Sequence, residues 1–124
     1  MTKIALILLL PITLLLADSF QTNIPRANDK PVLVLVEREG CPWCHRMKDE
    51  TLQDPNIVQM LEGFHIVVMD QSRWNRLGFE QVQSVPTMFF LDEEKRVVNM
   101  VRGFWEPIDF RHDIRDTKAL LEKN

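Results

Sequence analysis

The chain has 124 residues, 45% of them hydrophobic and 27% charged, which suits a single folded domain rather than a disordered or multi-domain protein. Its formal net charge is −3, with acids and bases interleaved, so it offers no basic face and nucleic-acid binding is set aside. It carries only two cysteines, Cys41 and Cys44.

Residues 1–17 read as an export leader. Lys3 supplies the positive start, and Ile4 to Leu16 form an apolar run with Thr13 as its polar residue. As a helix this run would reach roughly 20 Å, short of the roughly 30 Å hydrocarbon core of a bilayer, and Pro11 interrupts it. Leu15 is a poor small-residue match ahead of Ala17, so an uncleaved N-terminal anchor stands as the alternative to a cleaved signal peptide. Residues 18–30 are polar, with Pro25 and Asn28 as breakers, and read as a linker or arm. The folded domain is expected over residues 31–124.

Val32 to Val36 is a continuous aliphatic and β-branched run, the pattern of a strand buried on both faces. Pro42 suits the first position of a helix, expected to run to about Gln53. Asp54-Pro55 is a fresh cap and start for a second helical piece to about Leu61, with Ile57, Val58 and Leu61 turned inward and Gly63 closing it. Phe64 to Met69 reads as another apolar strand, and Trp74 to Gln83 as a short helix or loop. Thr87 to Leu91, the turn Asp92 to Lys95, and Arg96 to Val101 read as an antiparallel hairpin. A closing amphipathic helix is expected from about Glu106 to Lys123, carrying Ile108, Ile114, Leu120 and Leu121. Together these predict an α/β fold, a central mixed β-sheet flanked by helices on both faces.

Two cysteines in an exported chain would ordinarily form one structural disulfide. Their placement points elsewhere. Cys41 falls at a helix N-cap, where unpaired N–H groups and the helix dipole stabilise a thiolate and can lower a thiol pKa from about 8.5 to roughly 3.5–7.5. Cys44 lies one turn further in, more buried, and suits a resolving thiol in a two-step exchange.

Cys41-Pro42-Trp43-Cys44 after a strand, with Val85-Pro86-Thr87 before another, resembles the thioredoxin superfamily from about Pro31 to the C-terminus. The resemblance implies a thioredoxin-like fold and thiol:disulfide exchange with protein disulfide or dithiol substrates. It also implies a cis Pro86 beside the dithiol, with the Val85 backbone pairing with an extended substrate. The wider phrase from Glu39 to Met47, with Asp54-Pro55, is similar to exported bacterial thioredoxin-like proteins. This implies a periplasmic protein, or one tethered facing that compartment. It implies no cofactor beyond the redox-active disulfide, a monomer, and a membrane-bound thiol reductant or oxidant as a candidate redox partner.

One departure bears on mechanism. The buried aspartate that the family places six residues before its first cysteine corresponds here to Leu35. Glu37, two residues on and so on the same strand face, is the candidate proton acceptor, with a solvated strand-end glutamate as the plainer reading and Glu39 a weaker candidate. Pro42-Trp43 resembles the Pro-aromatic pair of glutaredoxins, and His45 adds positive charge when protonated; both would favour the reduced form and tune the potential. Trp43 reads as a docking aromatic or as cover for the sheet edge, and Trp74, Phe104 and Trp105 as core or loop packing.

Three other readings stay open. Cys41 to His45 is also a Cys-x-x-Cys-His string, the attachment signature of c-type haem, with Met88 or Met100 as distal ligands. A zinc site is disfavoured, because His65 and His112 have no second ligand at metal spacing. A thioredoxin-fold binding module with an idle disulfide is the third.

Overall fold

In the computed structural model residues 30–123 are described, so the leader and all but the last residue of the expected arm lie outside the described residues. Four strands form one sheet in the order β2-β1-β3-β4: β1 (Val32–Glu37), β2 (His65–Asp70), β3 (Thr87–Leu91) and β4 (Val97–Arg102). β1 runs parallel to β2 and antiparallel to β3, and β3 and β4 make the hairpin.

Central placement explains the uninterrupted apolar run of β1, whose residues Val32 to Val36 are all fully buried. Strand alternation splits them between two cores. Leu33 and Leu35 meet Met88 and Phe90 of β3 together with Met47, Ile57, Phe110 and Ile114. Val32, Val34 and Val36 face Phe89, Leu91, Met69, Trp74 and Val82.

The helices divide accordingly. α1 (Pro42–Arg46) runs into a π turn, Met47–Thr51, which with α2 (Pro55–Met60) and α4 (Pro107–Glu122) contributes to the first core, and α3 (Gln71–Asn75) contributes Trp74 to the second. The helix expected to reach Gln53 thus changes character at Met47, where the N–H of Leu52 reaches back five residues to the Met47 carbonyl at 2.9 Å. α2 opens as read: Asp54 accepts from the N–H groups of Asn56 and Ile57 at 3.0 and 3.2 Å, with Pro55 in the first position. No described helix is long and apolar enough to cross a membrane.

Several expectations need correcting. Val58 is half exposed, because in so short a helix Ile57 and Leu61, four residues apart, form the inward line and Val58 sits one step round from it. In α4 the buried stripe is Phe110, Ile114 and Thr117, leaving Ile108 and Leu120 exposed and Leu121 part-buried. β2 is an edge strand in the described sheet, with Ile66 and Val68 exposed rather than buried. α3 begins three residues before Trp74, because the Asp70 carboxylate caps it by accepting from the Ser72 N–H at 2.8 Å.

The β3–β4 turn is fastened by Asp92, which is buried and accepts from the N–H groups of Glu94 and Arg96 and from Arg96 Nε at 2.9 to 3.0 Å. Burial alone would push this carboxyl up, but the Arg96 N–H, the Arg96 guanidinium and the Glu94 N–H together hold it below its ordinary value. A carboxyl whose folded pKa is depressed stabilises above its unfolded value and loses that contribution as pH falls through the folded one. Asp92→Ala is therefore expected to cost about 1.5–3 kcal/mol at neutral pH, judged from hydrogen bonds to a charged acceptor. The gap to the parent should narrow below about pH 4. Urea melts at pH 7 and pH 3 check this; an equal gap at both would rule out the ionised turn as its source.

Candidate active site

The chain leaves β1 at Glu37 and turns at Gly40, whose φ of +72° is a left-handed conformation that favours glycine. This turn delivers Cys41 to the N-cap of α1 in extended geometry, with Pro42 at the first helical position. Cys41 Sγ accepts the Cys44 N–H at 3.2 Å, one of the donors that a helix start leaves unpaired. The two cysteines form a disulfide with a Cα–Cα distance of 5.3 Å. Cys41 is part-exposed, while Cys44 is 1% exposed, so only the first sulfur is open to a partner.

The Val85–Pro86 peptide is cis, and the Val85 carbonyl lies 4.0 Å from Cys41 Sγ. The oxidised sulfur carries no proton, so this is a contact and not a hydrogen bond. Pro86 is held from behind by the Gly103 N–H, which donates to its carbonyl at 2.8 Å, with Gly103 at φ +82°. α3 fixes the segment leading in. Asn75 both donates to the Val82 carbonyl (3.1 Å) and accepts from its N–H (2.8 Å), and Trp74 Nε1 donates to the Glu80 carbonyl at 2.9 Å.

Glu37 does not stand alone at the strand end: its carboxylate pairs with Lys48 Nζ at 2.6 Å, and both side chains are 27% exposed. Lys48 lies four residues after Cys44, so the pair falls on the side of the helix that carries the second cysteine. Pro42 and His45 are exposed at the start of α1.

Trp43 is 52% exposed and faces Phe104, their ring centroids 5.7 Å apart. Phe104 and Trp105, read from sequence as packing residues, lie in the loop after β4, and Phe104 reaches the Trp43 ring. The Trp105 carbonyl accepts from Thr51 Oγ1 at 2.6 Å, and its indole N–H donates to the Arg102 carbonyl at 2.8 Å. Trp74 does pack in the core, stacked on Phe79 and Phe89 at 4.4 and 4.3 Å. Sequence reasoning missed Arg46, Lys48, Gly103 and the role of Phe104. Gly103 was visible as a strand terminator, but nothing local to Arg46 or Phe104 indicates that they meet.

Among the described residues no group of three or more His, Cys, Asp or Glu could hold a metal ion. His65 lies in β2 and His112 in α4.

Two sulfurs bonded to each other at the start of a helix form the centre of a thiol:disulfide oxidoreductase, and the sheet and helices around them are those of the thioredoxin fold. The profile of the thioredoxin-like domain matches residues 21–118, and the chain belongs to that family. Among solved structures it is similar to a thioredoxin from Thermus thermophilus, at 23% identity and a TM-score of 0.67, covering 77% of this chain and 79% of that one. It is also similar to the C-terminal domain of DsbD from Neisseria meningitidis in its reduced form, at 20% identity and a TM-score of 0.55, over 79% of this chain and 90% of that one. A DsbH oxidoreductase aligns over 99% of this chain and 96% of its own at 17% identity and a TM-score of 0.58. At these identities the likeness is one of fold. No match is found among curated proteins.

Proposed function

We propose that the protein is an exported thiol:disulfide oxidoreductase that exchanges disulfides with protein substrates through Cys41 and Cys44. The observation that carries this reading is the asymmetry of the two sulfurs: Cys41 is accessible and accepts a helix N–H, while Cys44 is buried behind it. In the reducing direction the Cys41 thiolate attacks a partner disulfide, forming a mixed disulfide and releasing one partner thiolate. Cys44 then gives up its proton and attacks Cys41 Sγ, which restores the Cys41–Cys44 bond and frees the second partner thiolate. The oxidising direction is the reverse. Glu37, ion-paired to Lys48, is the proton acceptor for Cys44, in place of the acid that Leu35 lacks.

Val85 offers its backbone to an extended partner chain, Pro86 shapes that edge, and Trp43 docks the flanking residues. Pro42 and His45 tune the potential. Residues 1–17 serve as signal peptide or anchor, 18–30 as a linker and 31–124 as the working domain, placed in the periplasm as a monomer and recharged by a membrane-bound thiol reductant or oxidant. The c-type haem reading is less favoured, since the thioether bonds it needs would consume both thiols, here bonded to each other.

The test is equilibration of the purified protein against glutathione buffers, with turnover of insulin as a protein disulfide. A single two-electron transition and reduction of insulin are expected. A pair that never exchanges with glutathione would be a structural staple, and one that exchanges without acting on any protein disulfide would overturn the protein-substrate reading.

A further inference from the structure

Arg46 makes a set of contacts that disulfide exchange by itself does not call for. Its Nε and Nη2 donate to the two carboxylate oxygens of Glu50 at 3.0 and 2.9 Å, the two-point geometry that fixes a guanidinium plane. That plane lies over two rings at once, with Cζ 5.0 Å from the Trp43 centroid and 4.5 Å from that of Phe104. The three groups form a closed triangle, since the two rings are themselves 5.7 Å apart. The hydrogen bond to Arg46 holds the Glu50 carboxyl below its usual range, so the pin stays ionised wherever a dithiol exchanges.

An exposed ion pair of this kind contributes little to stability, so its consequence lies in orientation. Trp43, half exposed beside the dithiol, would otherwise sample several rotamers, and a partner that docked on it would have to order it first. Phe104 is held separately, part-buried against the first core. Its loop is tied by Thr51 to the Trp105 carbonyl, and by Gly103 to the Pro86 carbonyl.

We propose that Arg46 is a positioning residue for partner recognition: pinned by Glu50, its guanidinium clamps the Trp43 indole against Phe104 and keeps it set beside Cys41. The surface so held offers ring faces without free positive charge, because Glu50, with Glu106 nearby, offsets Arg46. It therefore suits partner chains with apolar side chains next to their reactive cysteine. This rests on the reading of Trp43 as the docking aromatic, and it assigns that docking its rigidity.

Arg46→Gln and Arg46→Lys proteins labelled with 5-fluorotryptophan separate the possibilities. The chain has three tryptophans, so three fluorine resonances are expected, with buried Trp74 as internal reference. In both variants the Trp43 resonance should move toward that of free indole while Trp74 stays. KM for insulin should rise about fivefold, with kcat and the reduction potential at parent values. Lysine should not rescue, because it keeps the charge but lacks the plane and the two-point fork.

A Trp43 resonance and a KM that match the parent in Arg46→Gln would overturn the clamp. So would rescue by lysine together with a potential shifted only in the glutamine variant, since Arg46 would then act through its charge on the thiolate. If the parent itself turns over no insulin while its Trp43 resonance responds to Arg46, the exchange reading fails, and the docking role falls with it for that distinct reason.

Discussion

A Cys44→Ala protein is expected to accumulate covalent adducts with its partners, each joined through Cys41. The attacking sulfur is untouched in this variant: it keeps its place at the N-cap and the N–H of residue 44, a backbone group that alanine also supplies. What is lost is the buried thiol that would resolve the mixed disulfide, so each adduct persists until an outside thiol cleaves it. Catalytic turnover of insulin should fall to the buffer rate. Non-reducing gels of a cell extract incubated with the variant should show partner bands that collapse on adding dithiothreitol, and a Cys41→Ala control should show none. Equal trapping by the two single variants would remove the distinction between attacking and resolving sulfurs.

Trp74→Ala should bring the largest loss of stability, about 3–5 kcal/mol, as for other large-to-small changes at fully buried aromatic positions. The indole is fully buried between Phe79 and Phe89, and its N–H satisfies the Glu80 carbonyl. Alanine would leave a void between two rings and an unpaired carbonyl in the segment that leads to Val85 and Pro86. The damage should therefore extend to the site: insulin turnover ought to drop at temperatures where the domain is still folded. Urea denaturation with an unchanged m-value measures the first effect. A loss under about 1 kcal/mol would mean that the site collapses around the smaller residue, against the packing described.

The parts of the protein that are legible in its sequence are those whose cause is local. Val32 to Val36 announces a strand buried on both faces because no polar residue interrupts it, and Asp54-Pro55 and Cys41-Pro42 mark helix starts by chemistry confined to adjacent residues. Asp70 caps α3 by the same chemistry, but it closes a strand in the same position, and the apolar run ahead of it masked the signal. Ile66 and Val68 look like core residues in sequence, whereas strand order puts β2 at the edge of the described sheet, and strand order is set by long-range pairing. Ile108 and Leu120 misled for a related reason: the stripe through Phe110, Ile114 and Thr117 faces the sheet, and a polar threonine belongs to it because its hydroxyl donates to the Asp113 carbonyl and accepts from Asn99.

The candidate site divides in the same way. Cys41 and Cys44 are readable from their spacing and their place at a helix start, and Pro86 only from the family resemblance. The wall formed by Arg46, Trp43 and Phe104 was not, since two of its members leave the helix next to the cysteines and the third arrives after β4. Glu37 was readable as a nearby acid, yet its companion Lys48 needed the turn of the helix to bring the two together.

Cys41 hangs four residues beyond a strand sealed on every side, whereas the groups poised to meet a partner sit on exposed side chains and connecting loops. On the exchange reading proposed above, reaction belongs to the dithiol and choice of client to the loop that follows β4. Changes at Phe104 to Glu106 are expected to redirect the protein to new clients while the redox couple stays put. Inheritance should accordingly preserve the inner strand and diversify the rim, so that descendants of one ancestor share an electron carrier but serve different customers.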